Sequence, residues 1–502
     1  MFRLPAWQVG CLFLLAGGGL AAGDDVRGAA PVISEPASLG ETTYRTHCLG
    51  CHGERGNGDG PAAALLFPRP RDFVNQQFRL RSTPAQTPPS DADLMSVLIR
   101  GIPGSPMPGF RFLTVEERNA VIDYVKGLSP SLLLADKPRA STFDVPPPWT
   151  DKRSSIAAGK VVYKQLGCAT CHGDQGRGDG PIADSLFDDR HSPIRPRDLV
   201  REPYKGGESV RDIYLRVSNG MDGTPMPAFT SASDQDRWHL AAYVASLIER
   251  DNKNSIAPTD DSYVIVSARV TGRLLANDPF SARWKTTPVT RVPVFPLISH
   301  RSPPPPLTVR SLHDERTIAF RLEWADATRN DRTSSVEAFA DGVAIQWISG
   351  SNDTFLGMGS RTAPVQIWHW KADWQRDVDE RKMHAPTAPP AAINVPYPFP
   401  VLSAFDAKNP YVYPERSSSV EEFTAVGFAT QTPVQTQHTK GFGIWRDGVW
   451  YVVLSRDFDG NEVELARRSA IKLALAVWDG ANRDRAGQKA VSSWYRLNIG
   501  GK

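Results

Sequence analysis

One element occurs twice in this chain and limits what its first half can fold into. It reads CLGCHGERGNGDGP from Cys48 and CATCHGDQGRGDGP from Cys168, and nine of the 14 positions are identical. The two copies hold four of the five cysteines, and the fifth, Cys11, lies near the N-terminus. The roughly 330 residues after the second copy contain no cysteine. No cysteine is therefore left over for a structural disulfide outside these elements.

The spacing Cys-x-x-Cys-His is typical of covalent haem c attachment. Two thiols separated by two residues can add to the two vinyl groups of one haem, and the adjacent histidine then ligates the iron. A zinc site is the first alternative, but it needs four ligands with tetrahedral geometry. A redox-active dithiol is the second, but it belongs near a βαβ pattern that this sequence lacks. The sequence predicts two covalent haems, with attachment and ligand residues Cys48, Cys51, His52, Cys168, Cys171 and His172.

A methionine follows each element at a matched distance. Met107 in GIPGSPMPGF and Met226 in GMDGTPMPAF follow the two haem histidines by 55 and 54 residues. Each lies in Pro-Met-Pro, which cannot continue a helix and so holds the methionine in a stiff loop. Met95 and Met221 lie nearby, but neither has an equivalent in the other repeat. We therefore predict Met107 and Met226 as the second iron ligands rather than as core residues, and such coordination suits an electron carrier because it raises the reduction potential.

Helical patterns surround both elements. TVEERNAVIDYVKGL opens with Thr114, a predicted N-cap with a glutamate three residues on, and SDQDRWHLAAYVASLI repeats the apolar spacing after the second element. Another short helix is expected before each attachment site, near Tyr44 and Tyr163. Helix, attachment site, methionine loop and closing helix is the order of a class I cytochrome c domain. Both repeats resemble that family, over residues 38–130 and 153–250.

A second motif is also repeated. RPRDF occupies residues 69–73 and RPRDL residues 195–199. Arg71 and Arg197 are candidates for pairing with haem propionates, and a solvated surface role is the alternative. A proline-rich linker, 136–151, separates the repeats. Two tandem domains with matching ligands indicate a two-step electron relay.

Strand-like segments dominate from about residue 255. SYVIVSARV, TIAFRLEW, VAIQWI, VQIWHW, FTAVGFAT and VWYVVLSR are rich in β-branched and aromatic residues, and Asp447-Gly448 marks a hairpin turn. These patterns predict an all-β sandwich over residues 258–502. By themselves they indicate only a domain that binds a ligand or a partner. Three histidines of this domain are candidate metal ligands: His369, His384 and His438. Four of its tryptophans either line a carbohydrate site or fill the core: Trp347, Trp368, Trp370 and Trp374.

Longer segments of this region resemble the haem-b-binding γ subunit of the ethylbenzene dehydrogenase and dimethylsulfide dehydrogenase group. The resemblance is carried by TIAFRLEWADATRND, ADGVAIQWI, GMGSRTAPVQIWHWKADWQ and TKGFGIWRDGVWYVVLSRD. In that family a β-sandwich holds one non-covalent haem b between a methionine and a lysine. The resemblance assigns these roles to Met358 and Lys440; without it, His369 would be the first candidate. The chain departs from the usual γ subunit because two cytochrome c domains precede the sandwich.

The N-terminus has the pattern of an export signal. Arg3 precedes an apolar stretch that ends in small residues, so cleavage is expected near residue 23 and the protein is expected in the periplasm. An uncleaved anchor is the alternative, and Cys11 fits a lipoprotein signal poorly. The formal net charge of +3 gives no reason to expect a nucleic acid partner.

The predicted fold is multidomain, with two small all-α cytochrome c domains followed by an all-β sandwich. The resemblance implies an exported electron-transfer protein with two haem c and one haem b, and without catalytic residues. Its implied partners are the molybdopterin and iron–sulfur subunits of an oxidoreductase, together with other periplasmic or membrane cytochromes. A dihaem cytochrome tethered by a binding module and a free-standing periplasmic shuttle are the alternative functions.

Overall fold

The computed structural model describes residues 37–75, 78–84, 87–133, 152–249, 263–274, 277–299, 305–333, 337–349, 353–383, 418–457 and 471–499. The predicted signal segment, the whole linker at 136–151 and His384 lie outside these residues. Every element below belongs to one compact unit, Leu39–Lys502. Within the described ranges, none of the helices has the length and apolarity needed to cross a bilayer.

The described part of residues 39–247 is mainly helical. Its helices are Leu39–His47 (α1), Leu49–His52 (α2), Asp91–Arg100 (α3), Val115–Leu128 (α4), Pro130–Leu133 (α5), Lys152–Gln165 (α6), Ala169–His172 (α7), Val210–Asn219 (α8) and Asp234–Ser246 (α9). Thr114 and Glu117 form the predicted capping box at the start of α4. Ser90 and Ser209 open α3 and α8 with the same device, which satisfies amides at the start of each helix.

The two helical regions repeat the same packing. In the first region α1 packs on α4, with the rings of Tyr44 and Tyr124 5.1 Å apart. In the second region α6 packs on α9, with Tyr163 and Tyr243 5.4 Å apart. The tyrosines that mark the helix before each attachment site therefore hold the first and last helices of each region together.

The described strands after Tyr263 belong to one curled sheet. The strands of the chain are Leu186–Phe187 (β1), Pro193–Ile194 (β2), Val264–Arg269 (β3), Thr290–Val292 (β4), Phe295–Pro296 (β5), Leu307–His313 (β6), Thr317–Ala325 (β7), Gly342–Ser349 (β8), Val365–Lys371 (β9), Val420–Ala425 (β10), Thr432–Pro433 (β11), Lys440–Arg446 (β12), Val449–Asp457 (β13), Ile471–Trp478 (β14), Ala490–Val491 (β15) and Tyr495–Asn498 (β16). Along the sheet the order is β11-β10-β9-β8-β14-β16-β3-β6-β7-β13-β12. The pairs β16–β3 and β3–β6 are parallel, and the other neighbours in this order are antiparallel.

Curling encloses the main apolar core. Trp370 on β9 and Trp450 on β13 come from opposite parts of the strand order, yet their ring centroids are 5.0 Å apart. Trp324 on β7 stacks on Trp450 at 6.2 Å. Along β9 the buried side chains divide between this core, which takes Trp368 and Trp370, and the opposite face of the sheet, which takes Val365 and Ile367.

A pair of short strands and one helix depart from a strict division into helical and strand regions. The two-residue strands β1 and β2 pair inside the second helical region. The helix Ala372–Met383 (α10) directly follows β9. The oxygen of Gln375 accepts hydrogen bonds from Trp370 Nε1 (3.2 Å) and from the amide of Gly443 (3.0 Å), which fixes α10 between two strands.

Candidate haem sites

Each predicted haem histidine is held by one backbone carbonyl. The Nδ1 atom of His52 lies 3.1 Å from the carbonyl oxygen of Arg71, and that of His172 lies 3.1 Å from the carbonyl oxygen of Arg197. A carbonyl can only accept, so Nδ1 carries the hydrogen in both rings and Nε2 keeps its lone pair. Burial lowers the pKa of His52 to about 4 and also lowers that of His172, which keeps both imidazoles neutral. A neutral ring whose Nδ1 is fixed in this way is what an iron ligand requires.

Three of the four attachment cysteines have the raised pKa of thiols withdrawn from water. All four are free. Burial raises the pKa of Cys48 and Cys51 to about 12 and that of Cys168 to about 11. A redox-active dithiol needs a lowered thiol pKa, so these sites do not suit dithiol chemistry.

A zinc site also lacks its ligands. Across the described ranges, one trio of His, Cys, Asp or Glu side chains has ligand atoms within 4.8 Å of one another, formed by Asp326, Asp341 and Asp479. This trio contains none of the cysteines or histidines of the repeated elements. The residues present therefore fit haem c twice, and when bound the haem would supply one-electron redox chemistry.

The two predicted methionine ligands lie in matching loops. The carbonyl of Met107 accepts from the amide of Ile102 at 2.9 Å, and that of Met226 accepts from the amide of Met221 at 3.1 Å. Met221 thus takes the loop-closing position of Ile102, whereas Met95 lies in α3. Iron ligation by Met107 and Met226 remains a prediction.

A tyrosine ties each attachment element to the preceding helix. The hydroxyl of Tyr44 donates to the carbonyl of Gly53 at 2.7 Å, and the hydroxyl of Tyr163 donates to that of Gly173 at 2.7 Å. Each glycine directly follows the haem histidine. The helix before the element therefore helps to fix the ligand, a role that the sequence pattern alone did not assign.

Met358 lies in a buried apolar cluster on the side of the sheet away from the main core. It is 8% exposed. The other buried members of the cluster are Ala344, Ile348, Ala363, Val365, Ile367, Phe423, Ala425, Ala474, Trp478 and Trp494. Its environment fits a buried thioether ligand.

Lys440 lies elsewhere on the sheet. It is the exposed first residue of β12. The residue after Lys440 lies beside Val420, and the residue after Met358 lies beside Ala425. Val420 and Ala425 are the two ends of β10. Five residue steps along a strand separate them by about 17 Å. The described contacts therefore do not bring Lys440 to Met358, and the predicted pair of haem b ligands stays a prediction.

The other candidate ligands and stacking residues of the sheet region differ in how deeply they are buried. His369 stacks on Trp478 of the Met358 cluster, with ring centroids 4.2 Å apart, and burial lowers its pKa well below the usual value. His438 is exposed. Trp347, Trp368 and Trp370 fill the main core, and Trp374 lies under the ammonium of Lys371 at 4.2 Å. Three of the four tryptophans are therefore unavailable to stack on a sugar.

Three family models match successive parts of the chain. The model described as Cytochrome c matches residues 37–129. The model described as Cytochrome C oxidase, cbb3-type, subunit III matches residues 154–244. The model described as Ethylbenzene dehydrogenase matches residues 279–385. The chain joins two cytochrome c domains to an ethylbenzene dehydrogenase-type domain. This confirms the resemblance inferred from the sequence.

Each of three similar proteins covers less than half of the chain. Chlorate reductase subunit gamma of Ideonella dechloratans is 27% identical over 235 residues, which are 45% of this chain and 80% of that protein. Dimethylsulfide dehydrogenase subunit gamma of Rhodovulum sulfidophilum is 26% identical over 235 residues, which are 43% of this chain and 72% of that protein. A chain of the reducing HAO-like protein complex of Kuenenia stuttgartiensis is 39% identical, with a TM-score of 0.40, over 43% of this chain and 98% of that chain.

The loop that carries Met358 also contacts the first cytochrome c domain. A Cβ atom on Gly50 would lie 2.4 Å from Cζ of Phe355, so the ring fills the space beside the attachment helix. Gly50 stands between the two attachment cysteines, and Phe355 precedes Met358 by three residues. No motif in the sequence predicts this contact. The one local signal is the difference between Gly50 and Thr170, which occupies the same position in the second repeat.

Proposed function

We propose that this chain is an electron-transfer subunit that relays electrons between a catalytic oxidoreductase partner and another cytochrome. The observation that carries the proposal is the pair of attachment sites, each with a neutral histidine fixed at Nδ1, in a chain with an ethylbenzene dehydrogenase-type domain. Two of the similar proteins are γ subunits, of chlorate reductase and of dimethylsulfide dehydrogenase. By this likeness the partner class is a molybdopterin and iron–sulfur assembly, and the chain has no catalysis of its own.

The first cytochrome c domain forms the middle of the proposed relay. On one side Phe355 packs against its attachment helix, and the amide of Phe67 donates to the carbonyl of Leu297 at 2.9 Å. On the other side the guanidinium of Arg71 donates to Asp189 of the second cytochrome c domain at 3.1 Å. These contacts support an order with the sheet domain at one end and the second cytochrome c domain at the other.

A third haem, of type b, belongs to the proposal. The ligands that the family resemblance assigns are Met358 and Lys440, and lysine can ligate iron only as a neutral amine. The buried cluster around Met358 supports the methionine. His369 is the alternative to Lys440 because its buried ring stacks on a member of that cluster. In the proposed architecture two all-α cytochrome c domains precede an all-β sandwich that holds this haem.

The proposed location is the periplasm, where covalent haem attachment and a soluble redox partner would both be found. The support is the signal-like N-terminus together with the two haem attachment motifs.

The alternative of a sugar-binding module that tethers a dihaem cytochrome is not favoured, because the predicted stacking residues Trp347, Trp368 and Trp370 are in the core.

The test is to isolate the full-length protein, with its haems, from native periplasm and to identify what accompanies it. We expect a molybdopterin and iron–sulfur assembly that reduces or oxidises the haems on addition of its substrate. The matched control is the protein with Cys48→Ala and Cys51→Ala, which should slow this exchange by at least ten-fold. Recovery with polysaccharide alone, and no redox partner, would contradict the proposal.

A further inference from the structure

The residue that orients the first haem histidine also reaches the second cytochrome c domain. The carbonyl of Arg71 accepts the Nδ1 hydrogen of His52, and its guanidinium donates from Nη1 to Oδ2 of Asp189 at 3.1 Å. The amide of Asp189 donates to the carbonyl of Gly223 at 3.0 Å. Gly223 stands three residues before Met226. A continuous series of bonds therefore runs from the histidine of one domain to the methionine loop of the other.

The second copy of the motif makes the reciprocal contact. The carbonyl of Arg197 accepts the Nδ1 hydrogen of His172. Its guanidinium lies against Gly104 of the first domain, where a Cβ atom would be only 2.6 Å from Nη1. Gly104 stands three residues before Met107, which is the same spacing as in the second domain. Glu202, whose Oε2 lies 2.7 Å from Nη1, holds the guanidinium in place.

These arginines are largely withdrawn from solvent. The side chains of Arg71 and Arg197 are each 15% exposed, which is incompatible with the solvated surface role considered for them. Arg190 supports the same interface, since it donates to the carbonyls of Pro70 (3.2 Å) and Asn57 (3.1 Å) in the first domain. Bonds to carbonyls and carboxylates on fixed backbone restrict the geometry far more than exposed ion pairs do.

We propose that Arg71 and Arg197 are positioning residues that couple the two haem sites. Each fixes the haem histidine of its own domain through its carbonyl and supports the methionine loop of the other domain through its guanidinium. Replacing one arginine side chain leaves its backbone carbonyl, and therefore the contact with the histidine of its own domain, in place. The expected effect of the substitution is therefore on the methionine of the opposite domain. This inference rests on the proposed ligation by Met107 and Met226.

The test is proton NMR of the reduced full-length protein with its haems bound. An iron-bound methionine methyl gives its own signal, shifted by the haem ring current, and the variants Met107→Leu and Met226→Leu assign the two signals. Arg71→Gln should shift the Met226 signal more than the Met107 signal. Arg197→Gln should do the reverse. The matched control is Arg69→Gln, at an exposed position of the same motif, which should leave both signals in place.

The outcomes separate the coupling from the ligation. If the wild type lacks both shifted methyl signals, the methionine ligands are wrong and the coupling falls with them. If both signals are present, but each arginine variant shifts only the signal of its own domain or shifts neither signal, the coupling is wrong and the methionine ligation stands. Should Arg71→Gln fail to fold, Asp189→Asn removes the same ion pair from the other side, together with the pair between Asp189 and Arg79, and Arg79→Gln separates the two effects. Asp189→Asn should shift the Met226 signal, and an unshifted signal would overturn the coupling equally.

Discussion

At the scale of single residues, burial sets the protonation of the groups that matter. The predicted haem histidines are neutral, and Cys48, Cys51 and Cys168 are thiols, because charged forms are disfavoured away from water. The same effect acts on an acid in the sheet domain. Burial, followed by repulsion from Asp326, raises the pKa of Asp341 to about 7.

Asp341 should therefore make stability depend on pH. A carboxyl whose pKa is higher in the folded than in the unfolded chain stabilises the fold while it is protonated. This contribution is complete below the unfolded value of 3.8 and is lost as the pH rises through about 7. Asp341→Asn should reduce the loss of unfolding free energy between pH 5 and pH 8 by about 1–3 kcal/mol. Urea denaturation at both pH values measures this, and an undiminished pH dependence would contradict it. Asp457→Asn, at an exposed acid, is the control.

At the scale of elements, local signals predicted local structure. The Asp447-Gly448 turn joins β12 to β13, and both residues have positive φ, 53° and 75°, as an Asp-Gly hairpin turn requires. The Thr114 capping box is a second success, for the same reason. Each signal needs only neighbours within a few residues.

Contacts between elements far apart in sequence could not be predicted in this way. Arg71 pairs with Asp189 across 118 residues, and no periodicity in either segment reports the partner. Phe355 against Gly50 is another such contact. The distance between Met358 and Lys440 shows the same limit, because family resemblance assigns roles to residues without supplying the packing between them.

The contact of Phe355 with Gly50 gives a prediction at this scale. Gly50→Thr copies the second repeat but places side-chain atoms where the Phe355 ring lies, so it should loosen the loop at 353–359 and cost about 1–3 kcal/mol of stability. Hydrogen–deuterium exchange of that loop measures the effect, and covalent haem should be unchanged. The reverse swap, Thr170→Gly, is the control and should leave the loop protected. If the loop exchanges equally in both variants, the contact between Phe355 and Gly50 does not hold the loop, and it gives no support to the proposed relay.

At the scale of the whole molecule, the haem content is the main quantity to measure. Denatured protein should retain two covalent haems per chain, because thioether bonds survive unfolding. Cys168→Ala with Cys171→Ala should leave one, as should the corresponding pair at Cys48 and Cys51. Pyridine haemochrome spectra give the count, and a wild-type value of zero would refute the assignment of both sites.

The proposed haem b can be tested in the same preparation. Acidified acetone should extract one haem per chain and leave the covalent haems, since only haem b lacks thioether bonds. Lys440→Ala should lose this haem or make it five-coordinate, whereas Met358→Ala should lower its potential. His369→Ala is the matched comparison. If it abolishes haem b while Lys440→Ala does not, the second ligand is His369.

The position of β16 has a consequence for the order in which the chain can fold. This strand, Tyr495–Asn498, is the last described strand in sequence, yet it lies in the sheet between β14 and β3, and β3 is the first strand of the sheet domain. Its parallel pairing with β3 joins the two ends of the described sheet region, so neither end can complete the sheet without the other. Closure of the sheet therefore depends on a contact between segments far apart in sequence, which forms slowly. Loss of β16 would leave β3 with an unpaired edge that another chain could pair with.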